Sequence, residues 1–94
     1  MQVFSDIPKI DEVFESGNEA YVFPNPSTGI FTIEIKDDTI NDISVFNSSG
    51  KRVYIDANIE RSDYSLNLTG FAKGVYYVAI QGAYKQYKNK IIIN

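Results

Sequence analysis

Apolar and polar residues alternate with a period of two along most of the chain after residue 20. Between residues 31 and 35, Phe31, Ile33 and Ile35 share one face, whereas Thr32 and Glu34 lie on the other. Because successive side chains of a β-strand point to opposite sides, this pattern is typical of a strand with one buried face. The same alternation, interrupted by polar or glycine-containing turns, predicts strands at residues 21–23, 31–35, 43–46, 52–55, 64–68, 75–81 and 84–93.

Seven short strands between residues 20 and 94, with no segment that requires a helix, predict an all-β fold. The strand lengths and spacing favour an immunoglobulin-like seven-stranded antiparallel β-sandwich. Residues 75–81 are apolar on both faces, so we expect them to form a central strand. Residues 43–55 are predicted to form a hairpin, with Gly50 as its turn residue.

The stretch "FPNPSTGIF", residues 23–31, predicts a rigid corner between the first two strands. Pro24 and Pro26 fix their own φ angles and favour extended conformations in the residues before them. Gly29 can adopt a positive φ, and we expect the Asn25 side chain to bond to backbone just downstream as an Asx-turn.

Two further glycines differ in their expected sensitivity to substitution. Gly74 precedes the most apolar strand and is expected to need a conformation open mainly to glycine. Gly82 falls in a predicted tight turn at residues 82–83, and we expect valine there to cost less stability than valine at position 74.

The last eight residues, "YKNKIIIN", form an unusually aliphatic end to the chain. Three adjacent isoleucines are β-prone and aggregation-prone, and the neighbouring lysines keep such a segment soluble. The segment is either an edge strand that completes the sandwich or an exposed strand and carboxylate offered to a receptor. Alternation predicts that Tyr87, Ile91 and Ile93 face the core and that Lys88, Lys90 and Ile92 face outward.

Residues 1–19 differ from the rest of the chain in being acidic and in lacking a sustained apolar period. They read as a linker with one docked segment, followed by a single domain at residues 20–94. The first residues lack the basic start and apolar centre of a secretory signal.

The composition excludes several functional classes. The chain has 94 residues with 9 basic and 12 acidic side chains, a net charge of −3 that argues against a nucleic-acid binder. There is no apolar run of about 18 residues, so we expect no membrane insertion. Histidine and cysteine are both absent, which removes the usual catalytic triads and zinc sites. We therefore expect no enzyme activity and no cofactor.

Two weaker site hypotheses come from side-chain clusters. Carboxylates in a loop can bind calcium, and three acidic residues lie close together, although turns also favour aspartate: Asp37, Asp38 and Asp42. A row of exposed tyrosines would bind sugars by stacking, and alternation sends Tyr64 and Tyr76 inward and exposes Tyr54, Tyr77 and Tyr84.

Four motifs in order resemble the type A C-terminal sorting domain of the type IX (Por) secretion system of Bacteroidota. They are "YVFPNPSTGIFTIEI" (21–35), "ISVFNSSGKRV" (43–53), "YSLNLTGFAKGVYYVAI" (64–80) and "KNKIIIN" (88–94). One departure is Asn47, where the family often has aspartate.

The resemblance implies a signal rather than a catalyst. Such a domain ends a larger exported cargo and is taken up by the outer-membrane translocon and its shuttle protein. A sortase-like peptidase then cuts the linker and often joins the cargo to an anionic lipopolysaccharide. The implied location is the periplasm in transit, then the outer-membrane surface or the medium.

The resemblance also assigns roles to residues. Translocon recognition falls on Lys88, Lys90, Ile91, Ile92, Ile93 and Asn94, and cleavage on Ser16, Gly17 and Asn18, between Glu15 and Ala20. The structural motif comprises Pro24, Asn25, Pro26, Gly29, Gly50, Gly74 and Tyr76. The alternatives are a carbohydrate-binding or adhesive sandwich module and a purely structural spacer.

Overall fold

The computed structural model describes residues 19–94 as seven strands in two antiparallel sheets. One sheet has the order β1-β2-β5 and the other the order β4-β3-β6-β7. The predicted all-β, immunoglobulin-like class is confirmed. In this part of the chain there is no helix long and apolar enough to cross a membrane. The strands are β1 (Ala20–Phe23), β2 (Ile30–Ile35), β3 (Ile40–Asn47), β4 (Arg52–Asp56), β5 (Asp63–Asn67), β6 (Gly74–Gly82) and β7 (Gln86–Ile93).

The core lies between the inner faces of the two sheets, as alternation predicts. Phe31 and Ile33 of β2 and Leu66 of β5 are fully buried on one side. The facing sheet contributes buried side chains from every strand except β4: Ile40, Ile43, Val45, Tyr76, Val78, Ile80, Tyr87, Ile91 and Ile93.

β6 is a central strand, as predicted from its apolar faces, because it pairs with β3 on one side and β7 on the other. Tyr76 lies on its inner face and is buried. The Tyr76 hydroxyl donates a hydrogen bond of 2.6 Å to the carbonyl of Ala72, and the rings of Tyr76 and Phe71 form a T-shaped pair at a centroid distance of 6.3 Å. Tyr76 therefore fixes the turn that precedes its own strand.

The predicted facing of β7 is confirmed. Tyr87, Ile91 and Ile93 are buried, whereas Lys88, Lys90 and Ile92 are exposed. β7 lies at the edge of the four-stranded sheet, paired with β6 from Gln81↔Gln86 to Gly74↔Ile93.

The structure constrains both Gly74 and Gly82, for different physical reasons, and their order of sensitivity stays a prediction. Gly74 has the expected positive φ of 145°, which strains any other residue, although a Cβ at this position would lie in open space. Gly82 is part of β6, and a Cβ there would lie 2.9 Å from the carboxyl carbon of Asp38 and 2.9 Å from the Lys85 carbonyl oxygen. Because real Cβ atoms do not approach neighbours so closely, Gly82 is constrained by packing against Asp38, which local sequence does not reveal.

We expect the two adjacent isoleucines of β7 to differ sharply on truncation. Ile91 is 0% exposed, so Ile91→Ala leaves a cavity and is expected to lower the free energy of unfolding by about 2–4 kcal/mol. Ile92 is 38% exposed, and Ile92→Ala is expected to cost less than about 1 kcal/mol. Urea denaturation of both variants checks this, and equal losses would contradict the facing of β7.

Candidate functional site

The Asn25 side chain donates one hydrogen bond to β7 and accepts another from it. Its Nδ2 donates to the Lys90 carbonyl oxygen at 2.9 Å, and the Ile92 amide donates to its Oδ1 at 3.0 Å. The side-chain amide thus satisfies two outward-facing groups of an edge strand, as the backbone of a neighbouring strand does.

The corner backbone continues this pairing to the end of the chain. The Ser27 amide donates to the Ile92 carbonyl oxygen at 3.0 Å, and the Asn94 amide donates to the Ser27 carbonyl oxygen at 2.9 Å. These two bonds form a parallel bridge between Ser27 and Ile93. From Lys90 to Asn94, four outward backbone groups of the chain therefore have partners in the corner.

The predicted local Asx-turn at Asn25 is wrong, since its partners lie 65 and 67 residues downstream. Ser27 makes the local turn instead. Its hydroxyl donates to the Ile30 carbonyl oxygen at 2.6 Å and accepts from the Gly29 amide at 3.1 Å. The reason is that the corner runs beside β7, whose edge offers the amide both a donor and an acceptor.

The corner is also packed from its other side. Gly29 has the predicted positive φ, at 142°, and a Cβ there would lie 3.0 Å from the backbone of Thr69. The peptide bonds before Pro24 and Pro26 are both cis. The Pro24–Gly29 segment is thus held between β7 and the end of β5.

A second tie joins β7 to the start of the domain. Asn89 Nδ2 donates to the Ala20 carbonyl oxygen at 3.3 Å across the seam between the sheets. Asn89 Oδ1 is buried and has no hydrogen-bond partner within residues 19–94. β1 and β7 are therefore joined at Ala20, the first residue of β1.

The residues predicted for recognition divide into two groups. Ile91 and Ile93 are buried and hold β7 against the core, so they are not accessible in the folded domain. Four are exposed: Lys88, Lys90, Ile92 and Asn94. Of the two alternatives for the last strand, a free backbone edge is not present over residues 90–94, because the corner occupies it. The predicted cleavage residues Ser16, Gly17 and Asn18 lie outside the described residues.

Asp38, one of the three candidate calcium ligands, is a structural residue. It accepts bonds from the Tyr87 hydroxyl at 2.8 Å and from the amides of Thr39, Tyr84 and Lys85 at 2.7, 3.2 and 3.3 Å. Burial by itself raises the pKa of the Asp38 carboxyl, but these hydrogen bonds outweigh it and the net pKa is lowered. Asp38 thereby fixes the loop between β6 and β7.

The other two aspartates do not join Asp38 in a metal site. Asp37 lies in the turn after β2 with a positive φ of 59°, and Asp42 lies on β3 opposite Gln81. Across residues 19–94, no three acidic side chains are grouped so that they could hold a metal ion.

The predicted exposure of the tyrosines is only partly confirmed. Tyr77 and Tyr84 are exposed, but Tyr54 is half-buried and its hydroxyl bonds to that of Tyr64. Tyr64 in turn donates to Asp56 at 2.6 Å. Burial raises the pKa of Tyr64, and the bonds to Asp56 and Tyr54 add to this. Tyr54 is the cross-strand partner of Val45, a core residue, and therefore faces inward. The register between β3 and β4 shifts between Val45 and Phe46, which interrupts the simple alternation along β4. As a result, no tyrosine row forms.

The chain matches a known family over the whole of this architecture. The family model described as the secretion system C-terminal sorting domain covers residues 21–94, from β1 to the last residue. The chain belongs to the secretion system C-terminal sorting domain family. This confirms the resemblance found in the sequence, and the domain is a C-terminal sorting signal of type IX secretion.

A curated relative of the sorting domain is an ulvan lyase of the Bacteroidota species Nonlabens ulvanivorans. The two are 31% identical over 74 residues, which is 78% of this chain and 14% of the relative. The sorting domain therefore corresponds to a small part of the length of that protein.

We expect Asn25→Ala to loosen the end of β7. The change removes two hydrogen bonds, and at a net value of about 0.5–1 kcal/mol each in an exposed setting it lowers the free energy of unfolding by about 1–2 kcal/mol. Hydrogen exchange at the Ile92 amide should rise in the same variant. Asn41→Ala, an exposed asparagine of β3, serves as the control with a change below about 0.5 kcal/mol. Unchanged protection of the Ile92 amide would contradict the role of Asn25 in holding the end of β7.

We expect Tyr87→Phe to change the alkaline stability profile. Burial, then the hydrogen bond to Asp38, raise the pKa of Tyr87 to about 12, whereas an unfolded tyrosine titrates near 10. The folded state thus keeps a proton that the unfolded state loses, so this contribution is fully present below about pH 10 and is lost as pH rises through about 12. The variant should show a shallower fall in thermal midpoint over that interval. Tyr84→Phe, at an exposed position, is the control, and identical slopes for Tyr87→Phe and the unmodified chain would refute the assignment.

Proposed function

We propose that this sorting domain ends a larger exported cargo and delivers it to the type IX translocon, where a shuttle protein takes up the folded domain. The observation that carries the proposal is the fixed position of β7, whose exposed Lys88 and Lys90 project from a strand closed by the corner. Because β7 is fixed, its exposed side chains have the same arrangement in every copy of the domain, and a receptor can bind that arrangement.

Recognition is expected to use exposed side chains rather than strand addition. Strand addition requires unpaired backbone groups along an edge. Between Lys90 and Asn94 the corner takes four of those groups, so an added strand would first have to displace Asn25 and Ser27. The exposed members of the predicted set carry the contact, while Ile91 and Ile93 act by holding the strand.

Cleavage is proposed to separate the domain from the cargo before β1 begins. Ser16, Gly17 and Asn18 are small or turn-prone, and the first strand starts at Ala20. A sortase-like peptidase would cut between Glu15 and Ala20. Mass spectrometry of the exported cargo tests this, and a cargo C-terminus within residues 30–94 would contradict it.

The domain is proposed to act without catalysis or a cofactor of its own. It passes through the periplasm and ends with its cargo at the outer-membrane surface or in the medium. The cargo carries whatever activity the whole protein has, and the ulvan lyase relative, of which the domain matches 14%, supports an enzyme as one kind of cargo.

The test is export of a periplasmic reporter fused in front of the full 94-residue chain in a type IX host. We expect the reporter in the medium or on the surface, and its retention in an isogenic strain without the translocon. Lys90→Ala should impair export while changing stability by less than about 0.5 kcal/mol, since the side chain is exposed.

Lys36→Ala, at an exposed turn after β2, is the matched control and should be exported normally. A reporter that stays in the periplasm with the unmodified chain would refute the sorting role in that host. Normal export of both Lys88→Ala and Lys90→Ala would remove these lysines from the recognition surface and leave β7 as a structural strand.

A further inference from the structure

One row of side chains crosses the whole outer face of the four-stranded sheet. The strand register aligns Arg52 of β4 with Phe46 of β3, Phe46 with Tyr77 of β6, and Tyr77 with Lys90 of β7. At an inter-strand spacing of about 4.8 Å, the row is about 14 Å long. A cation therefore stands at each end of two neighbouring aromatic side chains.

The next row on the same face continues this arrangement. Ile55, Ser44, Ala79 and Lys88 are aligned across the four strands in the same way. Two depressions of about 280 Å³ each open beside Phe46 and the small Ala79. We call the surface formed by the two rows the basic–aromatic face.

The basic–aromatic face contains large apolar side chains that are exposed to solvent. Tyr77 is 46% exposed and Ile55 is 55% exposed, and Ile92 beside the face is 38% exposed. Large side chains left open to water in one connected area are typical of an interaction surface.

The charge of this face is opposite to that of the chain. Arg52, Lys88 and Lys90 project from it. One carboxylate, Asp42, lies at its edge opposite Gln81 and lines one of the two depressions together with Arg52 and Lys88. The chain as a whole has a net charge of −3. The face thus carries three cations and one carboxylate at its edge, whereas the chain as a whole has an excess of acidic residues.

The outer face of the other sheet provides the contrast. Its cross-strand row joins Tyr21, Glu34 and Asp63, and Asp63 is paired with Arg61 at 2.9 Å. The two outer faces share exposed aromatic side chains but differ in charge. A partner that selects one of them must therefore do so by charge.

We propose that the basic–aromatic face is the docking surface for an acidic protein partner, which presents carboxylates to Arg52, Lys88 and Lys90 around an apolar side chain seated beside Phe46. This inference rests on the proposed function and extends recognition from β7 to all four strands of the sheet. An apolar centre with a charged rim, rich in aromatic residues and arginine, is the composition of protein–protein interfaces. The exposed Ile55 favours a protein as the partner, because an aliphatic side chain packs best against apolar side chains. The polar rings of an anionic polysaccharide instead stack on aromatic faces.

The first arm of the test measures export of the reporter fused to the full chain. Tyr77→Thr combined with Arg52→Gln should reduce exported reporter about tenfold, the effect of losing roughly 1.4 kcal/mol of contact. Tyr21→Thr combined with Lys36→Gln is the matched control on the other sheet and should stay within about twofold of the unmodified chain. The thermal midpoints of both purified variants should agree, which separates lost docking from lost folding.

The outcomes distinguish the two proposals. If the unmodified chain is not exported, the proposed function fails. If the unmodified chain and the Tyr77→Thr/Arg52→Gln variant are exported equally well, the docking surface is wrong while the sorting role stands.

The second arm identifies the chemistry of the partner. A photo-crosslinking phenylalanine analogue at position 77, with position 21 as the control, is introduced into the exporting fusion. We expect a discrete protein adduct at 77 alone, whose crosslinked peptide is rich in aspartate and glutamate. A heterogeneous glycan adduct, a neutral or basic peptide, equal adducts at both positions, or no adduct would each overturn the proposal.

Discussion

The hydrogen bonds between the corner and β7 are the constraint on which the rest of the domain depends. Asn25 and Ser27 belong to the connection between β1 and β2 of the three-stranded sheet, yet they bond to the last strand of the other sheet. The two sheets are thereby tied together at the C-terminus. Because unpaired edges promote aggregation, the same bonds also protect the exposed side of a strand that ends in three isoleucines.

β7 is held at both of its ends, and this gives its outer face a fixed geometry. The corner secures residues 90–94, while Asp38 secures the preceding loop through Tyr84 and Lys85 and the strand itself through Tyr87. With the strand fixed, its exposed lysines keep a constant position relative to the aromatic side chains of β3 and β6. The proposed recognition of a folded surface follows from this rigidity, because a partner then pays little to order the groups that it contacts.

The sequence predicts what depends on local periodicity and fails where distant elements meet. Alternation identified the seven strands, the buried face of β7 and the central place of β6, because the facing of side chains along a strand repeats every two residues. It could not identify the partners of Asn25, which lie on a strand 65 residues away, nor the contact of Asp38 with Gly82. Tyr54 was assigned to the wrong face because a register shift interrupts the pairing of β3 and β4. Likewise, the pairing of Phe46 with Tyr77 can be predicted only when the strand order and register are known.

The central claim is that the domain is recognised with β7 closed against the corner, and a crosslink between the two tests it most directly. Ser27 and Ile93 are bridge partners, so their Cα atoms lie at the separation of neighbouring strands, about 4.8 Å, which a disulfide can span. The chain has no other cysteine. Export of the oxidised Ser27→Cys/Ile93→Cys fusion, with the bond verified on a non-reducing gel, is compared with both single-cysteine variants. The account predicts export equal to that of the single variants, whereas export lost only in the crosslinked protein would show that the edge must open and would contradict it.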